Sequence, residues 1–242
     1  MPRPFENAMV LAAGLGTRMT PANGTLPKPL VELRGRALID RVLDRLAEAG
    51  IKRAVVNVHH KADLIEAHVK SRKAPRIVIS DERSGKLDTG GGVKRALPRL
   101  GPGAFLIHNS DSVWIEGVGS NLTRLMSTWD ETRMDCLLML AVASGSHGYQ
   151  GRGDFALQPD GRVRRRKLEQ EIVPFAFTGV SVAHPRLFED SPEGAFSLNL
   201  VWSRAIAAGR AYGMRMDGRW MHVGSPDALA QAEQCLENEI RS

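Results

Sequence analysis

The chain has 242 residues, 43% hydrophobic and 25% charged, with two cysteines and a formal net charge of +6. That balance belongs to a globular protein large enough for one sizeable core. Cys136 and Cys235 fit neither a disulfide framework nor a metal-binding spacing, no stretch approaches the roughly 20 apolar residues of a membrane span, and the apolar run from Ala8 is too short for a signal peptide. A cytoplasmic protein without a membrane partner is therefore expected. The positive charge suits anionic partners, but aromatic residues make up only 5% of the chain and none interleaves with the basic run Arg162–Lys167, so nucleic acid is not expected.

The chain is organised around the stretch from Ala8 to Leu33. A short apolar run, Met9 to Ala13, meets a glycine-rich turn, Gly14-Leu15-Gly16-Thr17-Arg18, and Lys28 follows between Pro27 and Pro29. An apolar run feeding a glycine-rich turn predicts a buried strand that ends in a phosphate loop. Glycines let backbone N–H groups approach an anion closely, Arg18 offers a planar fork for phosphate oxygens, and Lys28 offers a compact charge. Pro29 is expected to hold Lys28 in an extended backbone. A dinucleotide fingerprint would need a glycine at position 19, which is Met19, and no Gly-Lys-Ser/Thr triplet follows to complete a Walker loop.

Further along, Arg36 to Ala49 carries a helical apolar period and stops at Gly50. A β-branched strand over Arg53 to Val58 precedes a helix over Lys61 to Lys70 and a strand over Arg76 to Ser80. Another glycine turn, Gly90 to Gly92, leads a helix reaching Leu97. A strand from Ala104 to His108 ends in Asn109-Ser110-Asp111, a helix spans Leu122 to Trp129, and a long strand covers Asp135 to Val142. This alternation predicts an α/β fold with a Rossmann-like mixed, mostly parallel sheet and helices on both faces. After about Ala143 short strands are expected near Asp154–Leu157, Arg162–Arg166 and Phe175–Ala183. Helices follow at Leu198–Ala208 and Asp227–Asn238, the latter capped by Ser225 with Pro226 in its first turn. The whole chain reads as a single domain, with halves at about 1–142 and 143–242.

Ligands in such sheets bind beyond the carboxyl ends of strands. The glycine-rich loop and Asp111 both fall there. Asp111 alone would read as a capping residue, but beside a phosphate loop it becomes a candidate Mg²⁺ ligand. The His59-His60 pair reads as packing or surface. The run Arg162–Lys167 has two readings, charges that protect a sheet edge or cations for an anionic substrate.

The pattern L-A-A-G-x-G-T-R-M…P-K-P-L resembles the sugar-1-phosphate nucleotidyltransferase family. Leu87 to Gly92, Asn109-Ser110-Asp111, Gly151 to Phe155, Phe177 to Val180 and Trp220 to Gly224 follow in that family's order, across nearly the whole chain. The triple glycine and the G-R-G-D-F segment are most similar to its uridylyltransferases of N-acetylmuramate 1-phosphate, which act in bacterial cell-wall recycling. Mannose-1-phosphate guanylyltransferases share much of the frame. A nucleotide-binding regulator that keeps the fold without turnover is the alternative of another class.

The resemblance implies the nucleotide-diphospho-sugar transferase fold, a nucleoside triphosphate and a sugar 1-phosphate as ligands, and a monomer or small homo-oligomer. No hexapeptide-repeat tail follows, so no appended acyltransferase is expected. It also implies roles. Arg18, Lys28 and Asp111 are the catalytic set, with Asp111 on the metal. Leu11, Ala13, Gly14, Gly16, Thr17 and Arg18 hold the nucleotide, with Asn57, Glu82, Thr89 and Gly90 near the base. Asn109, Arg152, Gly153, Lys167, Thr178 and Gly179 belong to the sugar side. Turn chemistry explains the base readers equally well, and Gly153 and Gly179 read equally as plain turn glycines. One position departs from the family pattern: His222 stands where a second metal-binding aspartate is usual. Three readings follow. Asp111 holds Mg²⁺ with water and phosphates alone, Mn²⁺ or Co²⁺ is favoured, or the protein binds without much turnover.

Overall fold

In the computed structural model, which describes residues 5–19 and 26–241, strand β1 (Asn7–Leu11) feeds the glycine-rich loop. Thr20 to Thr25, part of the organising stretch, lie outside the described residues. A short ribbon of β2 (Glu32–Leu33) and β3 (Arg36–Ala37) then leads into α1 (Leu38–Glu48). Next come β4 (Arg53–Val58), α2 (Ala62–Val69), β5 (Arg76–Asp81), α3 (Asp88–Leu100), β6 (Phe105–Asn109) and β7 (Ser112–Glu116). The chain continues through α4 (Asn121–Thr128), β8 (Cys136–Val142), β9 (Phe155–Leu157), β10 (Val163–Arg165) and β11 (Phe175–Ala183). It closes with α5 (Leu198–Ala207), β12 (Ala211–Arg215), β13 (Gly218–His222) and α6 (Pro226–Arg241).

Nine of these strands form one mixed sheet. Its order is β10-β9-β11-β6-β1-β4-β5, with β8 beside β11 and β12 outside β8. Strands β5, β4, β1, β6, β8, β12 and β9 run one way, and β11 and β10 run the other. Alternate residues of β1 face opposite cores. Ala8 and Val10 join α1, α2 and α4 on one side, while Met9 faces α3 and α5 on the other. A strand covered on both faces must be apolar throughout, which is why Met9 to Ala13 reads as a continuous run.

Four features differ from the sequence expectation. Gly90 to Gly92 form no turn; they lie inside the first turns of α3. Three glycines signal a turn locally, but here packing selects them. The backbone N–H groups of Gly90 and Gly91 donate to the Phe196 carbonyl at 2.8 and 3.0 Å, and any Cβ on Gly90 would enter the Phe196 ring. Lys28 is not extended: Lys28–Leu30 make a 3-10 turn, and Pro27 before it is the extended residue. Strands β7, β12 and β13 were unmarked by any alternation; β7 and β13 pair in a separate antiparallel ribbon. Helix α1 also starts two residues later than expected, because Arg36 and Ala37 pair with β2.

The close seating of α3 gives a direct test. A Cβ on Gly91 would land on the backbone carbonyl of Gly194, whereas one on Gly14 would meet nothing within 4 Å. Gly91→Ala should therefore destabilise the protein by about 1–3 kcal/mol, and Gly14→Ala should stay within about 0.5 kcal/mol of wild type. Urea denaturation of the two variants measures both.

Candidate active site

The parallel strands bring their carboxyl ends together, with Leu11 opposite Asn57 on one side and Asn109 on the other. A cavity of about 360 Å³ opens above them. Its walls carry the loop from Ala12 to Arg18, Lys28, Asn57, Glu82, Thr89, Asn109 and Asp111. A larger cleft, about 1070 Å³, lies near the start of β1, but it sets Glu6, Asp130, Glu131 and Asp160 against Arg133. Four carboxylates make a poor receiver for anions, so the smaller cavity is the candidate site.

The loop is fixed at its ends and exposed between them. At its start, Ala12 N–H donates to Asn57 Oδ1 at 2.7 Å; at its end, buried Met19 donates its N–H to the Gly16 carbonyl at 2.8 Å. Gly14, Thr17 and Arg18 between them are exposed. Gly16 has φ +64° and sits against Lys28, whose Cβ would be 3.0 Å from any Cβ placed there. A larger residue would strain the turn and push the lysine away.

Lys28 Nζ meets Asp111 Oδ2 at 2.5 Å, with the two side chains only 13% and 18% exposed. Burial pushes the Asp111 carboxyl up, but Lys28 and then His222 outweigh it and hold the group below the usual carboxylate range. The backbone there is held too, since Val223 N–H donates to the Asp111 carbonyl at 3.1 Å. His222 lies beyond this pair, its ring tilted on Trp220 with centroids 5.9 Å apart. Burial lowers its pKa; Asp111 opposes that shift, and Lys28 and Arg18 add to it. Its imidazole Nε2 would be 2.6 Å from a Cβ on Gly224, so glycine is what gives the ring room.

Beneath the loop, Asn57 Nδ2 donates to Glu82 Oε1 at 2.8 Å. Glu82 is buried, and that burial raises its pKa against the opposing hydrogen bond from Asn57. Its carbonyl also bonds His59 Nδ1 at 2.8 Å, a packing role for that histidine. Thr89 Oγ1 accepts from Leu198 N–H at 3.0 Å, and Asp88 Oδ1 accepts from Thr89 N–H at 2.6 Å. The Gly90 and Gly91 N–H groups donate to Phe196 and the Thr89 N–H to Asp88, so the first turn of α3 has its donors taken up within the protein.

The sugar-side residues are more scattered. Asn109 lines the cavity, and Gly179 packs against it. Thr178 is fully buried and donates its hydroxyl to the Met139 carbonyl at 2.9 Å, so it faces β8 rather than the cavity. Exposed Arg152 donates to the Gln170 carbonyl at 3.1 Å, Gly153 packs on the Val173 carbonyl, and Lys167 is exposed on the same excursion. Neither these four nor Gly179 lines the cavity. Lys86, Asp88 and Gly224 do, although the sequence reading assigned them nothing. Lys86 and Asp88 flank Leu87 at the edge of the glycine-rich segment, and proximity to that motif is the signal that could have found them.

A two-faced α/β sheet whose carboxyl edge gathers a glycine-rich loop, two lysines and three carboxylates suits a nucleotide-handling transferase. The model of the MobA-like NTP transferase domain matches residues 8–188, and the chain belongs to that family of nucleotidyltransferases. The chain is 50% identical to the N-acetylmuramate alpha-1-phosphate uridylyltransferase of Caulobacter vibrioides, over 95% of this chain and 96% of that protein. It is 31% identical to the protein of the same name from Neisseria meningitidis serogroup B, over 93% and 96%. The crystal structure of HddC from Yersinia pseudotuberculosis complexed with GMP-PN shares the fold with a TM-score of 0.77 at 22% identity, covering 96% of this chain and all of that one. No described helix is long and apolar enough to cross a membrane.

Glu82 makes stability depend on pH in a definite direction. Its folded pKa is raised, so the stabilisation it gives is complete below the unfolded value of about 4.3 and is lost as pH rises through the folded value. Glu82→Gln removes the penalty of burying that charge. Urea unfolding should show the variant gaining on wild type steadily as pH is raised from about 4 to 7.

Proposed function

We propose that the chain transfers the uridylyl group of UTP to N-acetylmuramate 1-phosphate and releases pyrophosphate. The observation that carries this reading is the meeting of the glycine-rich loop, Lys28 and Asp111 on one cavity, in a chain half identical to a uridylyltransferase of that sugar phosphate. A phosphate oxygen of the sugar attacks the α-phosphorus in line. The bond from that phosphorus to the bridging oxygen breaks, and pyrophosphate departs with the electron pair. The attacking phosphate is already largely ionised at neutral pH, so no general base is required. The protein aligns two anions and neutralises their charge.

Within that reaction the backbone from Gly14 to Thr17 cradles the triphosphate, and Arg18 takes charge on its outer phosphates. Lys28 leaves Asp111 for the phosphates at the reacting centre. Glu82, Asn57, Thr89 and Gly90 border the base, and Asn109 with the backbone of Gly179 borders the sugar. The same reading assigns the enzyme to the cytoplasm and to recycling of cell-wall sugars.

The residues also suit a divalent cation. Among the described residues no three His, Cys, Asp or Glu side chains converge to hold one by themselves. Mg²⁺ asks for less, since it binds through one or two carboxylates together with substrate phosphates. Asp111, ionised and beside the phosphate loop, fits that need, and His222, an imidazole behind it, is a poorer donor for a hard ion. Such an ion, when bound, adds charge neutralisation on the triphosphate.

Pyrophosphate release with Mg²⁺, five nucleoside triphosphates and a panel of sugar 1-phosphates tests the substrates. Release is expected with UTP and N-acetylmuramate 1-phosphate; a preference for GTP and mannose 1-phosphate would replace both substrates, and no release with any pair would favour a binding protein. Lys28→Met should lower turnover by about 10²–10³, as removal of a preorganised electrostatic contact does. Mn²⁺ binding in the presence of UTP, followed by electron paramagnetic resonance, separates the metal ligands: Asp111→Asn should weaken it at least about tenfold, and His222→Ala should change it less than about threefold.

A further inference from the structure

Strand β11 is interrupted where it passes the active site. Its pairing with β8 shifts between Phe177, opposite Leu140, and Ser181, opposite Leu138, so Thr178, Gly179 and Val180 oppose Met139 alone. Across the bulge the Thr178 hydroxyl donates to the Met139 carbonyl at 2.9 Å. Gly179, with φ +83°, turns the backbone against Asn109; a Cβ there would be 2.9 Å from Asn109 Nδ2. Asn109 lines the cavity at the end of β6, and the bulge backs its side chain through Gly179.

Two side chains grip the backbone where that bulge begins, at Phe177 and Thr178. Ser112 Oγ donates to the Thr178 carbonyl and itself accepts from Trp220 Nε1 at 3.0 Å. Asp154 Oδ2 accepts from Phe177 N–H at 2.9 Å, and its Oδ1 accepts from Tyr149 O–H at 3.3 Å. Asp154 cannot drift: its own N–H donates to the Phe175 carbonyl at 2.7 Å, and its carbonyl accepts from Arg166 N–H at 3.1 Å. Burial first, and then Asp154, push the Tyr149 hydroxyl up to about 12, so it stays a donor at any working pH. Tyr149 leans on Trp220, with ring centroids 5.9 Å apart, so both grips end on one indole.

We propose that Asp154 is a positioning residue for the sugar 1-phosphate, its carboxylate clamping the Phe177 N–H so that the β11 bulge presents the backbone at Gly179 beside Asn109. The proposal rests on the reading above that the sugar lies on this side of the cavity. The nucleotide loop and Asn57 occupy the β1–β4 side, which leaves the second anionic reactant the β6–β11 side. Asp154 touches neither reactant and acts through the bulge.

The test compares wild type, Asp154→Ala and Asp154→Asn in the full chain, measuring KM for the sugar 1-phosphate, kcat, and Kd for UTP by calorimetry. The alanine variant should raise the sugar KM about ten- to a hundredfold, the loss of one charge-assisted hydrogen bond, with Kd for UTP within about twofold of wild type. The asparagine variant keeps an oxygen for Phe177 N–H and should return the sugar KM to within about threefold. Amide hydrogen exchange in residues 175–183 should quicken in the alanine variant alone. An unchanged sugar KM, or a parallel loss of UTP binding, would overturn the proposal. If the alanine variant does not fold, Tyr149→Phe, which removes the other partner of the carboxylate, should raise the sugar KM severalfold, and no change would count against the clamp. Failure of wild type to use N-acetylmuramate 1-phosphate would discard that substrate only, because the variant ratios with whichever sugar phosphate is accepted, and the exchange rates, still read Asp154.

Discussion

One buried amide fixes the floor of the active site. Asn57, 2% exposed, takes the Ala12 N–H on one side and gives its own N–H to Glu82 on the other. It thereby ties the first peptide of the anion loop to β4 and to the end of β5. Any one of these groups left buried without its partner would cost about 1–3 kcal/mol, so the three elements hold one mutual position. Gly92 of α3 completes the fit, since a Cβ there would stand 2.9 Å from Asn57 Nδ2 and 2.8 Å from Glu82 Oε1. The loop leaves this anchor already aimed, with Gly14, Thr17 and Arg18 exposed along it.

The charges above that floor are arranged in the same spirit. Lys28 and Asp111 stand 83 residues apart in the chain and meet because the 3-10 turn after Pro27 and the end of β6 border the same cavity. With most of their solvent gone, each is the other's main compensation. A triphosphate at the same place would compete for the lysine, and a cation would compete for the aspartate.

Much of this was legible in the sequence because period and local chemistry agreed. The β1 run, the loop from Gly14 to Arg18, the apolar period of α1 and the β-branched β4 each signal one structure only, and the parallel core follows from their alternation. The misreadings lie where tertiary contacts overrule local signals. Three consecutive glycines read as a turn, but Phe196 and Gly194, about a hundred residues on, need them inside a helix. The hydroxyl of Thr178 could not be known to turn toward Met139 before the bulge was seen. Asp154, Ser112 and Trp220 carry no motif for positioning, and only the folded chain sets them around one strand. Strand β13, with Trp220, Met221 and His222 in a row, offers no alternation to read.

The change of connection after β8 does not divide the sheet. Strand β11 pairs with β6 on one side and β8 on the other, and β12 lies parallel beside β8, so the sheet crosses the point near Val142 without a break. The same dependence holds at the site. Ser112 pairs with His222 in the β7–β13 ribbon, and the Asp111 carbonyl is held by Val223, so the late part of the chain sets the position of a carboxylate that the early part supplies. The loop and lysine come from the first 30 residues, the aspartate from the middle, and the brace from beyond Trp220. A site assembled this way holds its geometry only when the whole sheet is formed, and that links the stability of the fold directly to the alignment of its two anionic substrates.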